Sequence, residues 1–346
     1  MSRLSLIDLL KALACQVILW HHFAKYGPMS DAVAPEFPQL VAVLTEFGPL
    51  AVPAFLAMGG FLASRTLLRP GAPVMPARMI GRRYLRLALP YLPALALALA
   101  AAFAARALTP HPDNPAAPGI GQILAHALML QDLLGVDAFT AGAWYVAIDF
   151  QLFALLAGLH WLSSQGTRGP EASRRFTLIC LAVTALSLFW LNLDPDQDVW
   201  APYFFAAYGL GVLAERISRM ERKGPALTAL ALLAGAALLV DWRSRILVAA
   251  VVALVLAVTG GRGAGWTRSP AVARLGDISY AVFLVHYPVV LAVGALVGRL
   301  FPDDPDAALG GMFAAWLISL LAGSALEAVT ARGFAPEPTP KARPAA

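Results

Sequence analysis

The chain has 346 residues, 59% hydrophobic and 14% charged, with a net charge of +5 and a mean hydropathy of +0.68. A soluble domain holds roughly 45–50% apolar and about 25% charged residues, so an ordinary soluble fold is excluded. So is a disordered chain, which needs few apolar residues and much charge. Two cysteines, Cys15 and Cys180, exclude a disulfide-stapled secreted domain, and basic residues scattered between apolar runs speak against nucleic acid as a partner.

A bilayer span needs about 20 mostly apolar residues. In chain order the apolar runs are Leu4–Ala24, Pro49–Leu68, Leu87–Arg106, Ala143–Ser163, Phe176–Leu193, Pro202–Glu215, Ala226–Val240, Ile246–Gly260, Leu275–Val297 and Leu309–Val329. They predict an all-α polytopic membrane protein of about ten transmembrane helices. The alternating ~10-residue strands of a membrane barrel are not visible. Between the third and fourth runs, Ile120–Leu134 is amphipathic and carries Gln122, His126, Gln131 and Asp132. It is too short and polar to cross, and is expected at the surface or as a re-entrant piece.

With the N-terminus inside, most of the 26 basic residues fall in cytoplasmic segments, while Asp194, Asp196, Asp198, Asp303, Asp304 and Asp306 gather outside. That alternation follows the positive-inside rule and predicts both termini in the cytoplasm. Residues 1–334 are expected to form one membrane domain, and 335–346 a disordered cytoplasmic tail. The N-terminal run is broken by Asp8 and Lys11 and lacks a small-residue cleavage site, so it is no signal peptide.

Ionisable residues inside a span are costly and mark function by default. In the first run Lys11 and His22 are eleven residues apart, about 20° apart around a helix and about 16 Å along it. Asp8 lies on the same stripe. This stripe reads either as a catalytic or transport path, or as an Asp–Lys pair tying helices together with a histidine at the membrane interface. Asp149 sits in the outer half of the fourth run, at a depth like that of His22, and is a candidate to hold the His22 imidazole in one tautomer. A buried acid satisfied by Tyr or Trp donors is the other reading. Arg65, Arg69, Arg78, Arg82, Arg83 and Arg86 crowd the second loop. Arg83 and Arg86 share a helix face and suit a phosphate-bearing ligand or anionic lipid heads; topology determination alone would also place arginines here. His286 lies mid-span and is either functional or bonded to a backbone carbonyl. No spacing of His, Cys and acids reads as a zinc site, and no phosphate-binding glycine loop or nucleophile elbow is present.

Five short motifs stand in order along this frame. They are Asp8-x-x-Lys11 with His22 eleven residues on; Phe55 through Gly59-Gly60-Phe61-Leu62; Arg83-x-x-Arg86-x-x-x-Pro90; Trp144 through Asp149-Phe150 to Phe153; and Ser279-Tyr280 through His286-x-Pro288. Together they resemble the membrane-bound acyltransferase family 3, in which Arg stands for Lys11, Ser for Gly59, Glu for Asp149, Tyr for Phe153 and Tyr for Phe283. The resemblance runs from Leu4 to about Val329. Without a further SGNH hydrolase domain, the chain corresponds to the stand-alone form.

The resemblance implies an O-acyltransferase that moves an acyl group, commonly acetyl, from cytoplasmic acyl-CoA to an extracytoplasmic glycan or lipid-linked sugar. Acyl-CoA is a co-substrate, and no permanently bound cofactor or metal is expected. In that scheme His22 is general base or transient nucleophile and Asp149 its support. Lys11, Arg83 and Arg86 hold the donor, and Asp8, Ser279, Tyr280 and His286 support the site. Membrane lipid is the expected surrounding and a bacterial inner membrane the expected location. A secondary transporter or a lipid or glycan flippase is the alternative, since paired intramembrane acids and bases serve carriers too. Gly59-Gly60 would then break a span.

Overall fold

In hydrocarbon, backbone groups find partners only within the chain, so each apolar run must close its own hydrogen bonds as a helix. The computed structural model describes residues 3–68 and 74–331. Arg69, Arg332, Lys341, Arg343 and the tail 335–346 therefore lie outside the described residues. Within them every regular element is helical. The order is α1 (Ser5–Phe23), two short helices α2 (Pro28–Val33) and α3 (Pro38–Phe47), a 3-10 turn (Gly48–Leu50), and α4 (Ala51–Leu67). There follow α5 (Pro76–Leu108), α6 (Ile120–Ala127), α7 (Ala143–Ser163), α8 (Gly169–Phe189) and α9 (Ala201–Ser218). The last four are α10 (Gly224–Val240), α11 (Ser244–Thr259), α12 (Pro270–Leu300) and α13 (Pro305–Thr330).

A helix stands at each of the ten apolar runs. Seven stretches are long and apolar enough to cross a membrane: α1, α3 with α4, α5, α7, α8 with the turn after it, α12 and α13. The chain is thus an all-α polytopic membrane protein. Helices α10 and α11 are apolar but only 17 and 16 residues long, and α9 carries Glu215 and Arg216 in its last turn. Proline in the first turn opens α5, α12 and α13, where its missing N–H costs nothing and its φ suits the helix. For this reason α5 starts at Pro76, about three turns before the apolar run that begins at Leu87.

Two large apolar cores divide the bundle, with a small third between α5 and α12. One joins α4, α8, α9 and α11 with one face of α7. The other joins α1, α5, α12 and α13 with the start of α7. Val52, Phe55 and Tyr145 pack against both, so α4 and α7 form the seam.

The structure adds detail at two places. Ile120–Leu134 packs into the bundle along one face: His126, Met129 and Gln131 are fully buried, and the Tyr84 hydroxyl donates to the Ala127 carbonyl at 3.0 Å. Ile120, Leu124 and Leu128 stay exposed, so the segment folds into the bundle with one apolar face turned outward. Gly59-Gly60 does not break a span, because α4 is continuous through both. A Cβ on Gly60 would collide with the Tyr208 carbonyl of α9, and one on Gly211 with the Ala57 carbonyl of α4. These glycines let two backbones touch, as small residues do between membrane helices.

Candidate functional site

His22 is the eighteenth residue of α1 and sits where α1 meets α12. Its ring lies edge to edge with that of His286 and nearly coplanar with it, the centroids 4.8 Å apart and the planes 10° from parallel. His22 Nδ1 lies 2.5 Å from His286 Nε2, and His286 Nδ1 lies 2.5 Å from the Phe283 carbonyl oxygen. That carbonyl can only accept, so His286 Nδ1 donates to it. In the neutral ring Nε2 is then the acceptor, and His22 Nδ1 must donate. The lone pair of His22 falls on Nε2, which has no hydrogen-bond partner among the described residues. His22 is 7% exposed and His286 fully buried. Tyr26 and Phe283 close the ring of contacts around the pair.

The sequence reading put Asp149 against His22, and the structure does not. Asp149 forms an ion pair with Arg83 of α5. The two lie across the seam, with Tyr145, Tyr208 and Tyr280 within electrostatic reach, and the guanidinium lies over the Phe153 ring at 5.3 Å. Arg83 Nε and the Tyr208 hydroxyl are buried without a hydrogen-bond partner among the described residues. Depth explains the difference. Tyr280 is six residues before His286 on α12, about 9 Å lower along the axis, and its hydroxyl donates to the Leu87 carbonyl at 3.3 Å, on the α5 turn after Arg83. Asp149 belongs to that lower level.

The Arg83 guanidinium turns into the seam, where Asp149 pairs with it. Arg86, one turn on, is exposed, as is Arg82. The shared face of Arg83 and Arg86 is thus split by the helix edge, one residue in and one out.

At the N-terminal end of α1, Asp8 does not pair with Lys11. Arg3 donates from Nε to Asp8 at 2.7 Å, and from one terminal nitrogen to Asp277 at 2.8 Å and to the Ala273 carbonyl at 2.7 Å. These bonds clamp the start of α1 to the start of α12. Lys11 forms no ion pair or hydrogen bond among the described residues, but stays within electrostatic reach of Asp8, Asp277, Arg3 and Arg83. Ser279 donates to the Gly276 carbonyl at 2.9 Å, and its own carbonyl accepts from the Cys15 thiol at 3.4 Å. It therefore holds the α1–α12 contact rather than facing the histidines. Going up α1 and α12, the polar groups run from Arg3–Asp8–Asp277 through Lys11 and Arg83–Asp149–Tyr280 to His22–His286.

Some buried polar residues were not singled out by sequence. Glu215 is fully buried, accepts from Ser64 at 3.1 Å and pairs with Arg219. Arg243 caps α8 and α10 by donating to the Leu188 and Ala237 carbonyls. Glu215 ends an apolar run and Arg243 sits in a short loop, so neither stands out from normal loop charge. Among the described residues no group of three or more His, Cys, Asp or Glu could hold a metal ion.

A cavity of about 570 Å³ opens beside this column, lined by the beginnings of α4, α7, α9 and α11. Against known proteins, a family model described as an acyltransferase domain matches residues 4–325. No curated protein and no solved structure matches the chain.

Proposed function

The chain belongs to the acyltransferase 3 family, and from that premise we propose a transmembrane O-acyl transfer in which His22 is the base. The donor is a cytoplasmic acyl-CoA, the acyl group acetyl, and the acceptor a hydroxyl of a glycan or lipid-linked sugar outside. The setting is a bacterial inner membrane with both chain termini in the cytoplasm.

The observation that carries this reading is the chain from the Phe283 carbonyl through His286 to His22, which leaves a lone pair on His22 Nε2. An acceptor hydroxyl gives its proton to Nε2 as its oxygen attacks the thioester carbon. The carbon–sulfur bond then breaks, and the coenzyme A thiolate leaves and recovers the proton from His22. The imidazolium formed in between keeps its Nδ1–H on His286, which is in the geometry to share the charge. His286 thus takes the orienting role that the sequence reading gave to Asp149.

The rest of the column supports the donor. Lys11 carries an ammonium in the inner half of α1 without an ion-pair partner among the described residues, which suits a polar group of the donor arriving from the cytoplasm. Arg86, exposed at the start of α5, keeps the phosphate contact assigned to it with Arg83, and the exposed Arg82 adds a further cation there. Arg83 and Asp149 hold the seam through which the donor's arm must pass.

The test is labelled acetyl-CoA with membranes carrying the protein. Coenzyme A release and a labelled glycan are expected, and His22→Ala should reduce both by about 10²–10⁴-fold, the usual contribution of a general base. A His22→Ala protein that inserts normally and transfers at the wild-type rate overturns the assignment.

A further inference from the structure

The cavity at the starts of α4, α7, α9 and α11 changes character with depth. Its walls are mostly aliphatic, with Pro49, Leu50, Pro53, Leu56, Ile148 and Ile246 among them. The floor is Leu56, Ile148 and Ala207, which follow the helix starts Ala51, Ala143 and Ala201 by five or six residues. At ~1.5 Å per residue that is roughly 7–9 Å below those starts. The charged and amide groups all come from the other end. Asp132 precedes α7, Asn192 and Asp198 lie in the connection before α9, and Arg245 is the second residue of α11.

The level of this polar mouth in the bilayer can be read from its neighbours. Trp190, Trp200 and Trp242 are exposed, and they stand two or three residues from Asn192, Asp198 and Arg245. Exposed tryptophans at the ends of spans mark the head-group level. The mouth therefore lies among head groups, and the aliphatic floor lies at the depth of acyl chains.

The mouth carries both signs of charge. Burial pushes the Asp132 carboxyl up from its ordinary range, and the Asp198 charge adds to this. The two acids thus feel each other, and a cation between them would relieve both. Arg245 is held over the Tyr203 ring at 4.9 Å and donates to the Asn192 carbonyl at 2.9 Å. It pairs with neither acid among the described residues and keeps donors to spare.

Several ligand classes fail on one part of this lining. A small water-soluble ligand leaves the aliphatic floor uncovered. A wholly apolar chain leaves the mouth charges uncompensated. A fatty acid or an anionic lipid brings negative charge to Asp132 and Asp198. A quaternary ammonium head has no N–H to donate, and the Tyr203 face that would suit it is taken by Arg245. A lipid with a primary ammonium and a phosphate meets each group: three N–H donors for the carboxylates, and phosphate oxygens for the guanidinium. The volume, about 570 Å³, is in the ~300–1,000 Å³ range of small-ligand sites, so one chain enters and the other stays in the bilayer.

We propose that this cavity is a phospholipid site. One acyl chain lies on the aliphatic floor, and a zwitterionic head group sits at the mouth, its ammonium between Asp132 and Asp198 and its phosphate on Arg245. The site goes beyond the acyl-transfer reading and does not rest on it.

The test places the full chain in nanodiscs of equimolar phosphatidylethanolamine, phosphatidylcholine and phosphatidylglycerol with identical chains. Native mass spectrometry then reads the lipid retained on release into detergent. A single phosphatidylethanolamine per chain is expected, favoured over each of the others about tenfold, the worth of a hydrogen bond to a charged group. Asp198→Asn, in an exposed loop, should remove most of that preference. Ala207→Phe, which fills the floor, should abolish retention, and Trp266→Ala, exposed and outside the cavity, should match wild type. No retained lipid, equal retention of the three, a preference for the choline or glycerol head, or a preference that survives Asp198→Asn overturns the proposal. Coenzyme A release is not part of this readout, so the site can fall while the acyl-transfer reading stands.

Discussion

His22 and Asp149 drew notice for one reason: ionisable groups in an apolar run are scarce and expensive. Their partners were not legible, because each comes from a distant helix. His286 is 264 positions from His22 and Arg83 is 66 from Asp149, and spacing rules reach only one or two helical turns. The difference between the two pairs gives two expectations. Removing the acceptor by His286→Ala should lower kcat about 10- to 100-fold, the worth of a hydrogen bond to a charged group, with KM for acetyl-CoA little changed. A matching rise in that KM would instead make His286 a donor contact. The Arg83–Asp149 pair should behave as a structural unit. Either Arg83→Met or Asp149→Leu alone leaves a buried charge unpaired, at a cost of about 3–5 kcal/mol. The double variant should recover much of the lost thermal stability in detergent. Thermal shifts of the singles that simply add in the double would argue against the pairing.

At the scale of elements, helix positions were legible from the lengths of the apolar runs, and helix contacts were not. Gly59-Gly60 read equally well as a break or as a contact, since glycine serves both. The answer lies with α9, whose Gly211 meets α4 as closely as Gly60 meets α9. Gly60→Leu or Gly211→Val should force α4 and α9 apart, at a cost of at least the 1–3 kcal/mol typical of overpacking, seen as lost monodisperse protein on size-exclusion chromatography. Gly158→Leu and Gly235→Leu, facing open space, should elute as wild type. Equal behaviour of all four would remove the close-approach account. The segment Ile120–Leu134 was ambiguous for a related reason. Its amphipathic pattern fits a surface segment or a re-entrant piece, and which residues pack inward shows only in the burial of His126, Met129 and Gln131.

For the whole molecule, charge sorts as hydropathy does: basic loops at one end, acidic loops at the other. Cys15 and Cys180 are both buried, so single introduced cysteines report sidedness against a quiet background. Asp196→Cys should react with an impermeant maleimide from outside intact cells, and Arg222→Cys only after the membrane is opened. The reverse pattern would invert the topology and put His22 on the wrong side for an external acceptor. The clamp of Arg3 onto Asp277 and the Ala273 carbonyl has a consequence for the order of synthesis. Chains emerge and fold from the N-terminus, so α5 and α7 can join Arg83 to Asp149 early. Both ends of α1 must wait for α12: the N-terminal end for Asp277, the C-terminal end for His286. Until the penultimate helix arrives, neither end of the first helix has its partner. On the role proposed for His22, a nascent chain stalled before residue 270 is thus chemically silent, and acyl transfer begins only when the bundle is nearly complete.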